Sequence, residues 1–417
     1  MQRLFLFIVG GLIFSIASLF GQSTKKFSAN TIVALIDADM AATTFSDGEL
    51  KREEGKVDLF CKLSTADDQM SLTETPVSSS AVNWSKGLTV SKDGTVAFVT
   101  EARAMPSEDI QKVGDVYASF PEGRMLSAVS ITDTKLITAM DIGKNPTAVQ
   151  MNPAGNLLAV STEQYLEEIV LIEWKDNMFG NIQTYPHGFE EEVHLTDISW
   201  HPSGSFLAVT IKEKRQIAFY KIIEQESYLS VEMWGEAIGM GGLPGAGRFT
   251  PDGKHYLISN VQSENNLGEM VSIAFDAESG DHVVNGLIPI GVSPEGFAIS
   301  STGEFIAVAC KNGTFYPKND ERWTSTGSLI LLQFDGNVGQ FEVVDSIQFE
   351  GMLPRNVLFD KDDDMLAVSI YQYHDLTQRR GGISFFSIDK TGEAIELKKS
   401  IYNASLPSGC HALYLVN

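Results

Sequence analysis

Cysteine is scarce in this chain of 417 residues: there are three, at Cys61, Cys310 and Cys410. That number excludes the dense disulfide framework of short secreted domains. It leaves one pair with a free thiol, or three reduced thiols. Positive charge is also short. Lys and Arg total 31 against 54 Asp and Glu, a formal charge of −23. Such a balance argues against nucleic acid as a partner and marks a solvated acidic surface. No apolar run after residue 20 is long enough to span a bilayer. Nucleophile-elbow, zinc-protease, C-x-x-C and phosphate-loop motifs are all missing. The acidic run DKDDD (360–364) does not complete a calcium loop, since the required glycine and glutamate are replaced by Met365 and Tyr371. No metal site is expected, and the sequence names no cofactor.

What is present begins with Arg3 and the apolar run LFLFIVGGLIFSIASLF (4–20), followed by GQSTKK. A basic start, an apolar core and small residues before a cut after Gly21 read as a secretory signal peptide over residues 1–21. The mature chain, 22–417, is then secreted, periplasmic or extracellular, with no membrane span after cleavage. An uncleaved anchor is the other reading of the same run.

Six copies of a strand, a tight turn and a second strand follow: LTVSKDGTVAFVT (88–100), VQMNPAGNLLAVS (149–161), ISWHPSGSFLAVT (198–210), GRFTPDGKHYLIS (247–259), FAISSTGEFIAVA (297–309) and VLFDKDDDMLAVS (357–369). Their turn residues Gly94, Gly155, Gly204, Gly253, Gly303 and Asp363 are spaced by 61, 49, 49, 50 and 60. A period of roughly 50 residues built on β-hairpins indicates radial repetition, hence an all-β propeller. Five residues after each turn stands Val99, Val160, Val209, Ile258, Val308 or Val368, β-branched in every copy as a buried strand prefers. The last stretch, GCHALYLVN (409–417), reads as one more inner strand without partners. NTIVALID (30–37), VDLFCKL (57–63) and MSLTETPV (70–77) can supply them. The expected fold is therefore a single domain of seven four-stranded antiparallel blades, the last closed by N-terminal strands, with six blades as the alternative.

The long connections 101–125, 311–327 and 371–381 all fall on the rim opposite the glycine turns, where a rigid scaffold carries binding groups. Residues entering the inner strands, among them Lys86, Glu295 and Arg355, are expected near the channel mouth as a polar ring. Glu101, Arg103, His194, Tyr373, His374 and His411 belong to the same rim. Catalytic candidates are His194 as general base, with Arg355 or Arg103 for a developing oxyanion. The ligand-binding candidates are Lys86, Glu101, Glu295, Tyr373, His374 and His411.

The hairpins NPAGNLLAVS, HPSGSFLAVT and TPDGKHYLIS resemble the repeat of the YVTN-type and lactonase-like seven-bladed propellers. The resemblance implies that fold over about residues 84–417. Within its phosphogluconolactonase branch, a histidine precedes one inner strand, as His194 does in VHLTDISWHPSG. The acidic, glycine-containing turn after the next strand has no counterpart in VTIKEKRQ (209–216), and the Asn-Arg-Gly element none in ACKNGT (309–314). The resulting reading is a secreted propeller scaffold binding a small ligand, or an extracellular protein or carbohydrate, on its long-loop rim. The alternative is a lactonase-like hydrolase acting on a lactone or sugar-derived ester.

Overall fold

A computed structural model describes residues 23–28, 31–64, 70–82, 86–226, 228–262, 267–374, 379–392 and 394–416. The proposed signal peptide lies outside them. The strands form seven antiparallel sheets. Blades 1 to 7 have as innermost strands Leu88–Val90, Ala148–Met151, Leu195–Trp200, Leu243–Phe249, Pro294–Ile299, Met352–Phe359 and Gly409–Val416. Each blade has four strands, and blade 3 gains a two-residue fifth, Ile238–Gly239, beside its third. Six blades are excluded. No helix among the described residues is long and apolar enough to cross a membrane.

The repeat positions work as their chemistry requires. Val99, Val160, Val209, Ile258, Val308 and Val368 are all fully buried, where a branched side chain fills the pleat without spare rotamers to lose. Asp363 adopts φ +54°, joining the five turn glycines in the left-handed region that glycine enters without strain and Asp tolerates. Near the axis, space rather than torsion selects glycine. A Cβ on Gly296 would lie 2.1 Å from the carbonyl oxygen of Arg355.

Seven apolar clusters lie one between each pair of adjacent blades. Phe98, Val149 and Leu158 join blades 1 and 2, and Ala34, Ile36 and Ala367 join blades 7 and 6. Closure is mixed: Gly409–Val416 pairs with Thr31–Asp37, from Val416 opposite Thr31 to Gly409 opposite Asp37. Residues 59–64 and 71–76 complete that blade. The three cysteines are buried free thiols, so no disulfide assists.

An eighth cluster lies on the long-loop rim, uniting Met40, Leu50, Val82, Val113, Phe120 and Tyr371 from four separate segments. It builds a cap over that end of the ring. The 101–125 connection contributes a single helical turn, Val116–Ser119, whose N-cap Asp115 accepts from the backbone N–H groups of Tyr117 and Ala118. Three carboxylates, Asp37, Asp39 and Asp58, are buried beneath the cap. Asp37 accepts from Tyr371 Oη and from the Ala81 and Asp39 N–H groups, and Asp58 from Ala38 and Ser79 N–H. Among the described residues, neither oxygen of Asp39 has a hydrogen-bond partner. Burial, then Asp58 and Asp37, pushes its carboxyl up to about 10. A folded pKa above the unfolded one stabilises at low pH, and that contribution fades as pH rises from about 4 towards 10. Asp39→Asn should flatten this slope and raise Tm at pH 8 by a few degrees, at roughly 1 °C per kcal/mol for a domain of this size. A thermal melt across pH checks it, and an unchanged slope would refute it.

Candidate functional site

The expected polar ring at the channel mouth is instead two separate ion-pair groups, buried under the cap. In one, Lys86 Nζ meets Asp197 Oδ1 at 3.3 Å and donates to the Gly247 carbonyl at 2.7 Å. Burial brings the Lys86 ammonium down to about 8. In the other, Arg355 donates Nε to Glu295 at 2.5 Å, and its Nη1 donates to the Ala81 carbonyl. Lys311 meets the second Glu295 oxygen at 2.9 Å. Burial alone would raise the Glu295 carboxyl, but Arg355 and then Lys311 outweigh it and hold the pKa below the carboxylate range. Glu295 and Arg355 are 1% and 3% exposed, so both serve as a tie between blades 5 and 6 and the cap. His411 is likewise buried, with Nε2 3.2 Å from Ser79 Oγ. Burial, then Arg355, keeps its imidazole neutral.

The other rim residues scatter. Glu101 accepts from Ser78 Oγ and from the Arg124 and Met125 N–H groups, pinning the base of its loop. Tyr373 packs on the blade 5–6 cluster. His374 Nε2 lies 2.7 Å from the Ser325 carbonyl oxygen, on a different sector of the rim.

His194 and Arg103 do converge. They line one cleft of about 390 Å³ on the long-loop side of blades 1 to 3, with Tyr117, Asn145, Glu163 and Lys212. His194 precedes the inner strand of blade 3, and Glu213 sits on the turn following the strand paired to it. The antiparallel register therefore folds Glu213 back onto His194. Glu213 Oε1 lies 2.5 Å from His194 Nδ1, while Oε2 accepts the His194 backbone N–H at 2.8 Å. An ionised carboxylate only accepts, so Nδ1 carries the proton and Nε2 keeps its lone pair whenever the ring is neutral. The Glu213 contact raises the His194 pKa above its ordinary 6.5 despite partial burial. Burial works against ionisation of Glu213, but its bonds from His194 bring it down to about 2.

Arg103 is placed differently from its expected role. All its donor edges point into protein: Nε to the Tyr117 carbonyl at 3.1 Å, Nη1 to the Ala102 carbonyl at 2.7 Å, and Nη2 to Glu163 at 3.0 Å. Asn145 donates to the same carboxylate. Arg103 thus braces the cleft wall. Two lysines also line the cleft: Lys144 pairs with Glu122 at 3.1 Å, and Lys212 stands with its Nζ 4.3 Å from the centre of the Tyr117 ring. Tyr117 sits in a funnel, 40% exposed yet surrounded by enough protein to push its phenol up to about 12. Lys212 and Glu213 both come from VTIKEKRQ, the stretch without the lactonase turn. Only the contact to His194 distinguishes Glu213 among the 54 acidic residues of the chain.

Among the described residues, no three His, Cys, Asp or Glu side chains stand close enough to hold a metal ion. The DKDDD run is engaged by its own turn and by the N-terminal segment. Asp360 accepts from Ser28, Asp364 and Met365 N–H, and Asp364 pairs with Lys25 and Lys390.

No protein-family model matches the chain, and no curated protein matches it either. Solved structures do match. A periplasmic gluconolactonase of Pseudomonas aeruginosa aligns over 93% of this chain and 99% of its own, at 15% identity and a TM-score of 0.61. The chain has the fold of the lactonase-like seven-bladed propellers. A proposed 6-phosphogluconolactonase of Bacteroides fragilis aligns over 93% and 98%, at 14% identity and TM-score 0.60. A protein of unknown function from Desulfotomaculum acetoxidans aligns over 93% and 99%, at 11% identity and TM-score 0.60. At these identities the likeness establishes the fold alone.

Proposed function

We propose that this lactonase-like propeller is an exported hydrolase that opens a lactone or a sugar-derived ester in the cleft of blades 1 to 3. The observation that carries the reading is the His194–Glu213 pair in that cleft. It is a base oriented by a carboxylate, in a cleft that also holds the Lys212 ammonium against the Tyr117 ring. Export rests on the residue 1–21 pattern, and the substrate class on the lactonases among its structural neighbours.

Water held at His194 Nε2 loses a proton to the imidazole as its oxygen attacks the ester carbonyl carbon. The carbonyl π pair moves to oxygen, and Lys212 offsets that charge. Collapse re-forms the C=O bond and breaks the acyl C–O bond. The imidazolium then returns its proton to the departing alkoxide, giving a hydroxy acid. Glu213 fixes the ring and stabilises the imidazolium; it does not touch the substrate.

A positioned base contributes about 10²–10⁴-fold, so His194→Ala should lose that factor in kcat on a lactone panel and remain folded. Because the base must be neutral, activity should rise with pH along a limb lying above 6.5. Glu213→Gln should move that limb to lower pH as well as lower kcat. A merely structural Glu213 would leave the limb in place. A second reading, a binding scaffold without turnover, is favoured by the complete commitment of Arg103 to the cleft wall. Absence of turnover by a well-folded protein across the panel, with a hydroxy acid still bound in a Lys212-dependent way, would select it.

A further inference from the structure

The other end of the channel carries a separate feature. A cavity of about 720 Å³ opens among the glycine turns and runs up the axis as far as Lys86. Around it, one position five residues before each turn recurs on successive inner strands: Thr89, Gln150, Ser199, Arg248, Ala298 and Leu358. The first three reach across to the next blade. Thr89 Oγ1 accepts from the Met151 N–H, Gln150 Oε1 from the Trp200 N–H, and Ser199 Oγ donates to the Gly247 carbonyl. Arg248 occupies the fourth of these positions and does nothing of the kind. Its Nε is buried with no hydrogen-bond partner, and its guanidinium forms no ion pair among the described residues. Asp197 acts on it as an opposing charge but forms no ion pair with it; Asp197 pairs with Lys86 at 3.3 Å and accepts the Gly247 N–H.

The charge around this cavity runs against that of the protein. Lys86, Lys92, Arg248 and Lys361 line it, against Asp360 and Asp363, in a chain whose formal charge is −23. Both carboxylates are committed: Asp360 caps its own turn, and Asp363 accepts from Ser301 N–H and Oγ. Thr89, Gln150 and Ser199 make the blade 1 to 3 side of the wall polar, and the inner-strand positions of blades 5 to 7 are more apolar. Ala298 and Leu358 take the two positions after Arg248, and Leu413, Tyr414 and Leu415 of blade 7 follow. Arg248 is half-buried with its Nε fully enclosed; a guanidinium partly withdrawn from water without an ion-pair partner gains from a counter-ion, and its planar fork matches a carboxylate in two parallel bonds.

We infer that the glycine-turn end of the channel is a binding site for a small organic carboxylate, with Arg248 as its counter-ion and the blade 5–7 wall covering its apolar body. The site is independent of the hydrolytic cleft on the opposite rim.

Calorimetric titration with benzoate, and separately with inorganic phosphate, tests this on the full-length protein. Benzoate should bind at one site, more tightly than phosphate. Arg248→Met should weaken benzoate at least tenfold and keep Tm within about two degrees, because the guanidinium ties nothing together. His194→Ala should bind benzoate as the wild type does. The inference is overturned by absent benzoate binding, by equal binding to Arg248→Met, or by loss of binding in His194→Ala. Phosphate binding more tightly than benzoate would overturn the carboxylate class. A clear fall in Tm for Arg248→Met would make the arginine a structural strut and refute the site.

Discussion

Removing residues 409–417 should abolish cooperative folding of this propeller. The segment supplies the whole innermost strand of blade 7, paired along Thr31–Asp37. Cys410 and Leu413 belong to the blade 6–7 cluster and Ala412 to the blade 7–1 cluster, so its loss opens both interfaces at once. Each large buried apolar side chain contributes roughly 1.5–3 kcal/mol, and whole domains have only about 5–15 kcal/mol in reserve. The bared inner edge of Thr31–Asp37 would also present unpaired backbone groups that invite association. The truncated protein should lack a sharp thermal transition, and a synthetic peptide of sequence GCHALYLVN added in trans should restore one. A truncated chain melting within a few degrees of the intact protein would show that the ring does not depend on closure by this strand.

Arg355→Met should be the most damaging single substitution away from the apolar clusters. It strands Glu295, which is 1% exposed, with Lys311 as its remaining cationic partner, and leaves the Ala81 carbonyl without the donor that ties the cap. Breaking a buried ion pair from one side costs about 3–5 kcal/mol, a fall in Tm of roughly 5 °C for a single domain of this size. The double variant Arg355→Met/Glu295→Leu should recover most of it, because the penalty belongs to the orphaned charge. The acid limb provides a second readout. Glu295 has a depressed pKa in the folded state, so its stabilisation is present above the ordinary glutamate pKa of 4.5 and is lost as pH falls through the folded value. Arg355→Met should shrink that component. Equal melting of the single and double variants would refute this account.

The two substitutions also separate the parts of the rim. Arg355 and Glu295 hold blades to cap, whereas His194, Glu213 and Lys212 face the cleft. From sequence they look alike, as polar residues at loop–strand junctions. What divides them is the packing of 38–50, 81–82 and 101–125 into one apolar cap. That cap buries Arg355, Glu295 and His411 at its own end of the ring and leaves the sector over blades 1 to 3 open. His194 is legible because it precedes a recognisable repeat. Its partner Glu213 is not, because pairing it with His194 needs the register of Leu195 opposite Ile211. Arg103 is legible as a rim cation but not as a brace, since the acceptors that occupy it are mostly backbone carbonyls, which carry no sequence signal.

By itself the sequence determined the all-β propeller and the order of its blades, the turn chemistry at Asp363, the buried β-branched positions and closure by the N-terminal strands. All of these follow from local periodicity and from pairing needs that repeat along the chain. The structure decided seven blades over six. Only the tertiary structure decided which polar residues are buried ties and which face solvent. Charges distant in sequence, such as Arg355 and Glu295 or Lys86 and Asp197, meet only when the ring closes, and their desolvation is a property of the whole assembly.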